Sequence, residues 1–183
     1  MTPDVNVVIS HSEYTVLVVD DVVSNVLLLK VLLTNEKFKV ITAGNGKEAL
    51  SQAVNARPDL ILLDVMMPEM NGFEVAERLK ADPETQHIPI IFLTALNTTA
   101  DIVKGFKVGA NDFISKPFNK EELVIRVTHQ ISLVAAKRII MEQTEELRKI
   151  IMGRDKLYSV IAHDLRSPMG SIKTVSYTHL RAH

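Results

Sequence analysis

Short apolar runs alternate with amphipathic stretches through most of the chain before Asn119. The run Thr15–Asp20 is rich in β-branched residues, is apolar on both faces and ends in an acid, which is typical of a buried parallel strand. Five strands are predicted, over residues 15–20, 38–43, 59–63, 89–94 and 112–115. Helices are predicted over residues 24–35, 46–55, 71–81 and 98–108, and a fifth begins near Asn119. This alternation predicts an α/β fold in which helices cover both faces of a parallel sheet.

Polar side chains lie at the ends of four of these strands. They are Asp20 and Asp21 after the first strand, Asp64 after the third, Thr94 at the end of the fourth and Lys116 after the fifth. A lone acid at a strand end is most often a helix cap or a turn residue. In parallel sheets, however, functional groups gather at the carboxyl ends of the strands. We therefore expect three acids, a hydroxyl and an ammonium to share one edge of the sheet.

Neighbouring carboxylates repel, and a hard divalent cation relieves that repulsion. Mg2+ prefers oxygen ligands, so we expect Asp20 and Asp21 to hold Mg2+, with Asp64 and the backbone at Met66 completing the site. Carboxylates also serve as nucleophiles that form aspartyl phosphates, a role that we assign to Asp64. The hydroxyl of Thr94 and the ammonium of Lys116 suit the oxygens of a phosphoryl group.

Composition narrows the class of protein further. The 183 residues carry 21 Lys+Arg against 22 Asp+Glu, a net charge of -1, so the bulk charge recruits neither nucleic acid nor anionic lipid. The chain has no Cys, which excludes disulfides and thiolate metal sites. No apolar run approaches the roughly 20 residues of a transmembrane helix, and no signal peptide is evident. We expect a cytoplasmic protein.

Four segments together resemble the receiver domain of bacterial two-component response regulators. They are Val-Leu-Val-Val-Asp-Asp (16–21), Leu-Ile-Leu-Leu-Asp-Val-Met-Met-Pro-Glu-Met-Asn-Gly (60–72), Ile-Ile-Phe-Leu-Thr-Ala (90–95) and Gly-Ala-Asn-Asp-Phe-Ile-Ser-Lys-Pro-Phe (109–118). The resemblance covers residues 14–135 and leaves residues 1–13 as an N-terminal tail. It implies a flavodoxin-like (βα)5 fold with a five-stranded parallel sheet. It also implies that Asp64 is the phosphoacceptor and that a phosphohistidine-bearing domain is the donor.

The same resemblance implies a switch that couples Thr94 to the aromatic residue Phe113. The family often has Tyr there, and Phe lacks the hydroxyl, so packing alone must stabilise an inward ring. The peptide bond before Pro117 is expected to be cis. Met66, two residues after the acceptor, is apolar and is expected to limit the approach of water and slow dephosphorylation.

Beyond Asn119, helical periodicity continues past the length of one domain helix, with no Pro or Gly before Gly153. Leucine and isoleucine recur at heptad or half-heptad spacing, at Leu133, Ile140, Leu147 and Ile151. This pattern predicts a coiled-coil connector over residues 136–157 and a homodimer through the C-terminal helix. The alternative is a solvated helix that packs back on its own domain.

The stretch over residues 158–173 contains Tyr-Ser-Val-Ile-Ala-His-Asp-Leu-Arg-Ser-Pro-Met (158–169). It resembles the start of the H-box helix of sensor histidine kinases. This likeness implies that His163 accepts a phosphoryl group and that Asp164 is its acid–base partner. Residues 174–183 do not continue the family pattern, and we interpret them as foreign sequence. No second hairpin helix and no ATP-binding domain follow, so the chain is interpreted as a fragment of a hybrid signalling protein. ATP-dependent kinase activity is expected only of an intact parent, and whether the chain itself is an enzyme stays open.

Several other functions fit the sequence less well. A histidine kinase fragment autophosphorylated on His163 would need an ATP site, and no Gly-rich nucleotide loop is present. An aspartate-nucleophile phosphatase usually has a second Asp where this chain has Met66. A binding-only pseudo-receiver is disfavoured by the complete set of acids, and a DNA-binding regulator is disfavoured because no output domain follows.

Overall fold

The computed structural model describes residues 10–95 and 99–178, and the side chains of residues 10–95 and 101–163. The chain divides into two compact units, Met1–Ala135 and Ala136–His183. The first described segment of the first unit is a short 3-10 helix, His11–Glu13. The resemblance seen in the sequence begins only at residue 14. The His11 ring nevertheless stacks on Phe38, with 4.3 Å between ring centroids, so this turn packs on the first unit.

Five parallel strands form one sheet in the order β2-β1-β3-β4-β5. Their bounds are Thr15–Val19 (β1), Lys39–Ala43 (β2), Leu60–Asp64 (β3), Ile90–Thr94 (β4) and Asp112–Ser115 (β5). The central strand β3 and its neighbour β4 are buried at every residue, as expected for a sheet covered on both faces. This architecture confirms the predicted α/β fold.

Helices connect the strands. Their bounds are Val23–Asn35 (α1), Gly46–Ala56 (α2), Gly72–Ala81 (α3), Thr99–Lys107 (α4) and Lys120–Thr178 (α5). Side chains from α2 and α3 join the core on one face of the sheet. Those of α1 and the first part of α5 join the core on the other face. The alternate residues of each strand point to opposite faces, so each strand serves both cores.

Asparagine side chains fix where three of these helices begin. Asn45 accepts a hydrogen bond from the N–H of Glu48, and Asn71 forms a reciprocal capping box with Glu74. Asn119 caps α5 in the same way, as the sequence predicts. Most predicted bounds differ from the observed ones by a single residue. One shift bears on the site, because Asp64 is the last residue of β3 rather than the residue after it.

Candidate functional site

Asp20 follows β1 and is almost completely buried, with 1% of its surface exposed. Its Oδ1 accepts hydrogen bonds from the N–H of Val22 (2.9 Å) and from Asn25 Nδ2 (3.2 Å). Asn25 Nδ2 also lies 3.0 Å from Oδ2. The turn between β1 and α1 therefore holds this carboxylate in one orientation, because both of its oxygens accept hydrogen bonds.

Asp64 and Lys116 complete a buried ionic group with Asp20. The Lys116 Nζ lies 2.8 Å from Asp20 Oδ2 and 2.8 Å from Asp64 Oδ2. The N–H of Met66 donates to the other oxygen of Asp64 at 3.2 Å. Asp64 is only 2% exposed, so one ammonium serves two carboxylates that are shielded from water. Three elements distant in sequence meet here, as the strand-end argument predicts.

Lys116 supplies one positive charge for the two carboxyl groups of Asp20 and Asp64, so a further cation would be favourable here. Burial raises the pKa of Asp64 above its usual range, and it outweighs the hydrogen bond and charge of Lys116, which lower it. Burial works against the protonated form of Lys116. Its hydrogen bonds to Asp20 and Asp64 nevertheless raise its pKa above the usual range. A cation beside these carboxylates would favour the ionised form of Asp64, which is the nucleophilic form.

Asp21 adds a third carboxylate, and it is exposed. One oxygen from each of Asp20, Asp21 and Asp64 can be chosen so that all three lie within 4.8 Å of one another. We call these three residues the acid cluster. Carboxylate oxygens are the ligands that Mg2+ prefers, and an exposed side leaves space for the waters that it retains. The residues present therefore fit the cation that the sequence predicts.

The remaining predicted residues lie on β4, on β5 or directly after β3. Thr94 is the last residue of β4 and is 6% exposed, and its carbonyl accepts a hydrogen bond from the N–H of Lys116 at 2.9 Å. The Lys116–Pro117 peptide bond is cis, as expected. The side chain of Met66 is 63% exposed and lies outside the core. Phe113, on β5, packs against Phe92 with ring centroids 5.7 Å apart.

The start of α3 packs closely against the backbone of Asp64 and Val65 at the end of β3. The N–H of Gly72 donates to the carbonyl of Val65 at 2.9 Å. A Cβ at Gly72 would overlap the carbonyl oxygen of Asp64 and lie 2.8 Å from the Cα of Val65. Only glycine permits this approach, so the residue that starts α3 is part of the support of Asp64.

Sequence reasoning missed Asn25, which holds Asp20 from the first turn of α1. Its signal was weak but present, because a helix that starts three residues after a strand-end acid turns its first side chains towards that acid. The role of the N–H of Met66 was also missed. We predicted that the backbone at this residue binds the cation, and the described contact is its donation to Asp64.

The proposed H-box residues lie in the second unit. His163 is on α5 and its side chain is exposed. The side chain of Asp164 lies outside the described residues, so its predicted partnership with His163 stays a prediction. The backbone of residues 158–173 is helical, and so is that of residues 174–178.

The fold and the acid cluster together define an α/β domain with carboxylates at one edge of a five-stranded parallel sheet, and comparison with known proteins identifies the family. The family model of the response regulator receiver domain matches residues 16–128, which is more than half of the chain. This chain therefore belongs to the response regulator receiver domain family, a family of two-component phosphorelay signalling.

Two curated relatives illustrate the likeness. Response regulator PleD of Caulobacter vibrioides is 47% identical over 127 residues, covering 69% of this chain and 27% of that protein. The DNA-binding response regulator MtrA of Mycobacterium tuberculosis is 46% identical over 112 residues, covering 61% of this chain and 48% of that protein. This chain thus spans about a quarter to a half of the length of these curated relatives.

Solved structures agree. The chemotaxis protein CheY4 of Vibrio cholerae matches with a TM-score of 0.61 and 35% identity, covering 63% of this chain and 97% of that one. The receiver domain of a signal transduction histidine kinase from Syntrophus aciditrophicus matches with a TM-score of 0.61 and 36% identity, covering 65% of this chain and 90% of that one.

Among the helices that the structure describes, none combines the length and the apolar character needed to cross a membrane.

Proposed function

We propose that this chain accepts a phosphoryl group on Asp64 from a phosphohistidine-bearing donor domain, with Mg2+ held by the acid cluster. The observation that carries the proposal is the position of the Lys116 Nζ, 2.8 Å from both Asp20 and Asp64. Such an ammonium is placed to neutralise an oxygen of a phosphoryl group arriving at Asp64. Family membership supports the same conclusion, because a receiver domain implies a phosphodonor.

In the proposed step, an oxygen of Asp64 forms a bond to phosphorus while the bond from phosphorus to the donor imidazole nitrogen breaks. The electron pair of that bond returns to the imidazole nitrogen, which takes up a proton from water. Asp20, Asp21, Asp64 and the backbone at Met66 would hold Mg2+, which supplies positive charge for the phosphoryl oxygens. Lys116 and the hydroxyl of Thr94 would bind those oxygens, so the protein contributes positioning and charge neutralisation.

The side chain at position 66 supports a lasting phosphoprotein rather than rapid turnover. Hydrolysis of an aspartyl phosphate needs a water oriented beside the phosphorus. Met66 is exposed next to Asp64 and offers no acid or base to orient that water. We therefore expect slow dephosphorylation, and this argument disfavours the phosphatase alternative.

Incubation with acetyl phosphate and Mg2+ tests the proposal. We expect the chain to gain one phosphate, seen as retarded migration on a phosphate-affinity gel, and Asp64→Asn to abolish the retardation. Asp155→Asn is the matched control, because Asp155 is an exposed acid of the second unit and its loss should leave the retarded band unchanged. Persistence of the retarded band in Asp64→Asn would refute the assignment.

We also propose that the parent protein is a hybrid in which the receiver regulates an attached histidine kinase module. Two observations support this. His163 is exposed on α5 within a stretch that resembles an H-box. One similar solved structure is the receiver domain of a signal transduction histidine kinase. In this proposal His163 accepts a phosphoryl group, Asp164 assists as acid or base, and a changed surface around α4 and β5 is the output.

Phosphoramidate, a donor that reacts with imidazoles, tests the role of His163. We expect Asp64→Asn treated with phosphoramidate to carry an acid-labile, base-stable phosphate. His163→Gln in the same background should lose it, whereas His129→Gln, an exposed histidine of the first unit, should retain it. A phosphate that survives in the His163→Gln variant would contradict the H-box assignment.

The helix of the second unit supports a further proposal, a homodimer through this helix. Leu147, Ile150 and Ile151 are 57%, 62% and 42% exposed, and a second copy of the same helix would cover them. The cytoplasmic location stays a prediction.

A further inference from the structure

Gly105 stands in the interior of α4, where glycine is the least favourable residue after proline. It is buried against the ring of Phe113. A Cβ at this position would overlap Cζ of Phe113 and lie 2.7 Å from its Cε1, with Phe92 Cδ2 at 3.2 Å. The helix therefore lies directly on the aromatic ring at the one residue that has no side chain.

Phe113 is held by aromatic contacts on its other sides. Its ring centroid lies 5.7 Å from that of Phe92 and 4.9 Å from that of Phe106, the latter in an edge-to-face arrangement. Phe92 is buried, whereas Phe106 is 53% exposed on α4. Because Phe113 has no hydroxyl, packing against these rings and Gly105 sets its position.

The sheet register places this ring close to Thr94 along the sheet. Phe113 pairs with Phe92, and Thr94 pairs with Ser115, two residues further along both strands. Since side chains two apart share a face of a strand, Thr94 and Phe92 lie on the same face. Thr94, Phe92 and Phe113 therefore occupy adjacent positions of one sheet face.

We propose that Gly105 is a positioning residue of the switch. Its missing side chain forms the seat of the Phe113 ring, so a side chain at position 105 would displace either this ring or α4, and a shift of the ring changes how α4 packs. Ile102, Val103 and Phe106 are exposed on that helix and change position with it. The inference rests on the proposed phosphorylation of Asp64, and it names the contact through which that event reaches the surface.

The contact between Gly105 and Phe113 is tested by the sign of the change in urea midpoint that Gly105→Ala causes, with Phe113 present and in the Phe113→Leu chain. With Phe113 present, Gly105→Ala should lower the urea midpoint by about 1 M, because overpacking opposes the helical preference for alanine. In the Phe113→Leu chain, which lacks the Cε and Cζ atoms, Gly105→Ala should raise the midpoint. An equal shift of the same sign in both backgrounds would overturn the proposal.

Gly153 is the matched control for the helical preference. It also lies within a helix, α5, but a Cβ there would meet nothing within 4 Å. Gly153→Ala should increase the far-ultraviolet helical signal and leave the urea midpoint of the first unit unchanged in both Phe113 and Phe113→Leu chains. A dependence of Gly153→Ala on the residue at 113 would show that the sign change is not specific to the seat, and would also overturn the proposal.

A second readout separates a switch role from simple packing. The chain is labelled with 4-fluorophenylalanine, and the resonance of Phe113 is assigned by its loss in Phe113→Leu. We expect acetyl phosphate and Mg2+ to shift this resonance in the unaltered chain, and Gly105→Ala to reduce that phosphorylation-dependent shift at least twofold. An unchanged shift in Gly105→Ala, or no shift on phosphorylation of the unaltered chain, would reject the switch role.

The failure of the proposed function is distinguishable from the failure of this inference. If Asp64 is not the acceptor, acetyl phosphate produces no Asp64-dependent band in the unaltered chain, and the urea experiment still reports on the seat. If Asp64 is phosphorylated and Gly105→Ala leaves the Phe113 resonance unaffected, only the inference fails.

Discussion

The two parts of α5 show what burial adds to the same helical pattern. In Lys120–Ala135 the apolar residues Leu123, Val127 and Ile131 are fully buried against the sheet. In Ala136–His163 every described side chain is exposed, although isoleucine and leucine recur there as well. Helical periodicity therefore predicts secondary structure in both parts, but only the first part has a partner surface within its own unit.

This difference decides which substitutions affect folding. A buried side chain loses its transfer free energy and leaves a cavity when it is truncated, whereas an exposed one loses little. A long helix without tertiary packing is marginal in water, so the second unit depends on whatever covers its apolar face. We expect substitutions in the first unit to change stability and those in the second unit to change association.

The largest expected effect is on core packing. Leu62→Ala on β3 should lower the free energy of unfolding of the first unit by about 2–5 kcal/mol, because Leu62 is fully buried between the sheet and its helices. Leu147→Ala should change the same quantity by less than about 0.5 kcal/mol. Urea denaturation followed by circular dichroism measures both. A similar decrease in the free energy of unfolding for the two variants would contradict the proposed difference between the units.

Association provides the complementary test. Leu147→Ala should instead weaken the proposed homodimer, measured by sedimentation equilibrium across a range of concentrations, because it removes apolar contact from the seam. Val103→Ala, which truncates an exposed side chain of α4 in the first unit, serves as the control. A monomeric chain at all concentrations would exclude the dimer.

A smaller effect is expected at Lys116. Lys116→Met should lower stability at neutral pH without Mg2+ by about 1–3 kcal/mol, because it leaves the buried carboxylates of Asp20 and Asp64 without their shared ammonium. Added Mg2+ should recover more stability in this variant than in the unaltered chain. Thermal unfolding with and without Mg2+ provides the comparison, and equal recovery in both chains would contradict it.

The smallest effect on stability is expected for substitution of Asp64, and it is a gain rather than a loss. The pKa of this carboxyl is raised from its ordinary value of 3.8, because burial disfavours its ionised form. Its contribution to stability is therefore complete below that value and is lost as pH rises through the folded-state pKa. Without Mg2+, Asp64→Asn should be more stable than the unaltered chain at pH 7, and the difference should shrink towards pH 4.

Denaturation of the two chains at several pH values tests this sign. A constant difference between them, or a difference that grows as pH falls, would mean that burial does not control the ionisation of Asp64. Lys116 keeps Asp20 as a partner in the Asp64→Asn variant, so the comparison does not create an unpaired ammonium.

Much of the candidate site was predictable because strand topology places it. Asp20, Asp64, Thr94 and Lys116 terminate or directly follow strands, and the carboxyl ends of parallel strands meet at one edge. The contribution of Gly105 was not predictable, and that of Asn25 left only a weak signal in the sequence. Both depend on the angle and distance at which a helix packs on the sheet, and local patterns along the chain do not determine these quantities.

The fold followed from the sequence for the same physical reason. Apolar runs of strand length between amphipathic helices leave few arrangements that bury every apolar face. The helical extension lacks such a constraint, because its seam is compatible with a second chain or with its own domain. The sequence therefore predicts the helix of the second unit, but it does not determine which surface packs against the apolar residues of that helix.

The central claim is that the acid cluster, in the presence of Mg2+, directs a phosphoryl group to Asp64. The most direct measurement is peptide mapping by mass spectrometry after treatment of the unaltered chain with acetyl phosphate, in Mg2+ or in EDTA. The account predicts a phosphate on the tryptic peptide of residues 48–78 that is located at Asp64 and requires Mg2+. Equal phosphorylation in EDTA, or a phosphate located on another peptide, would contradict it.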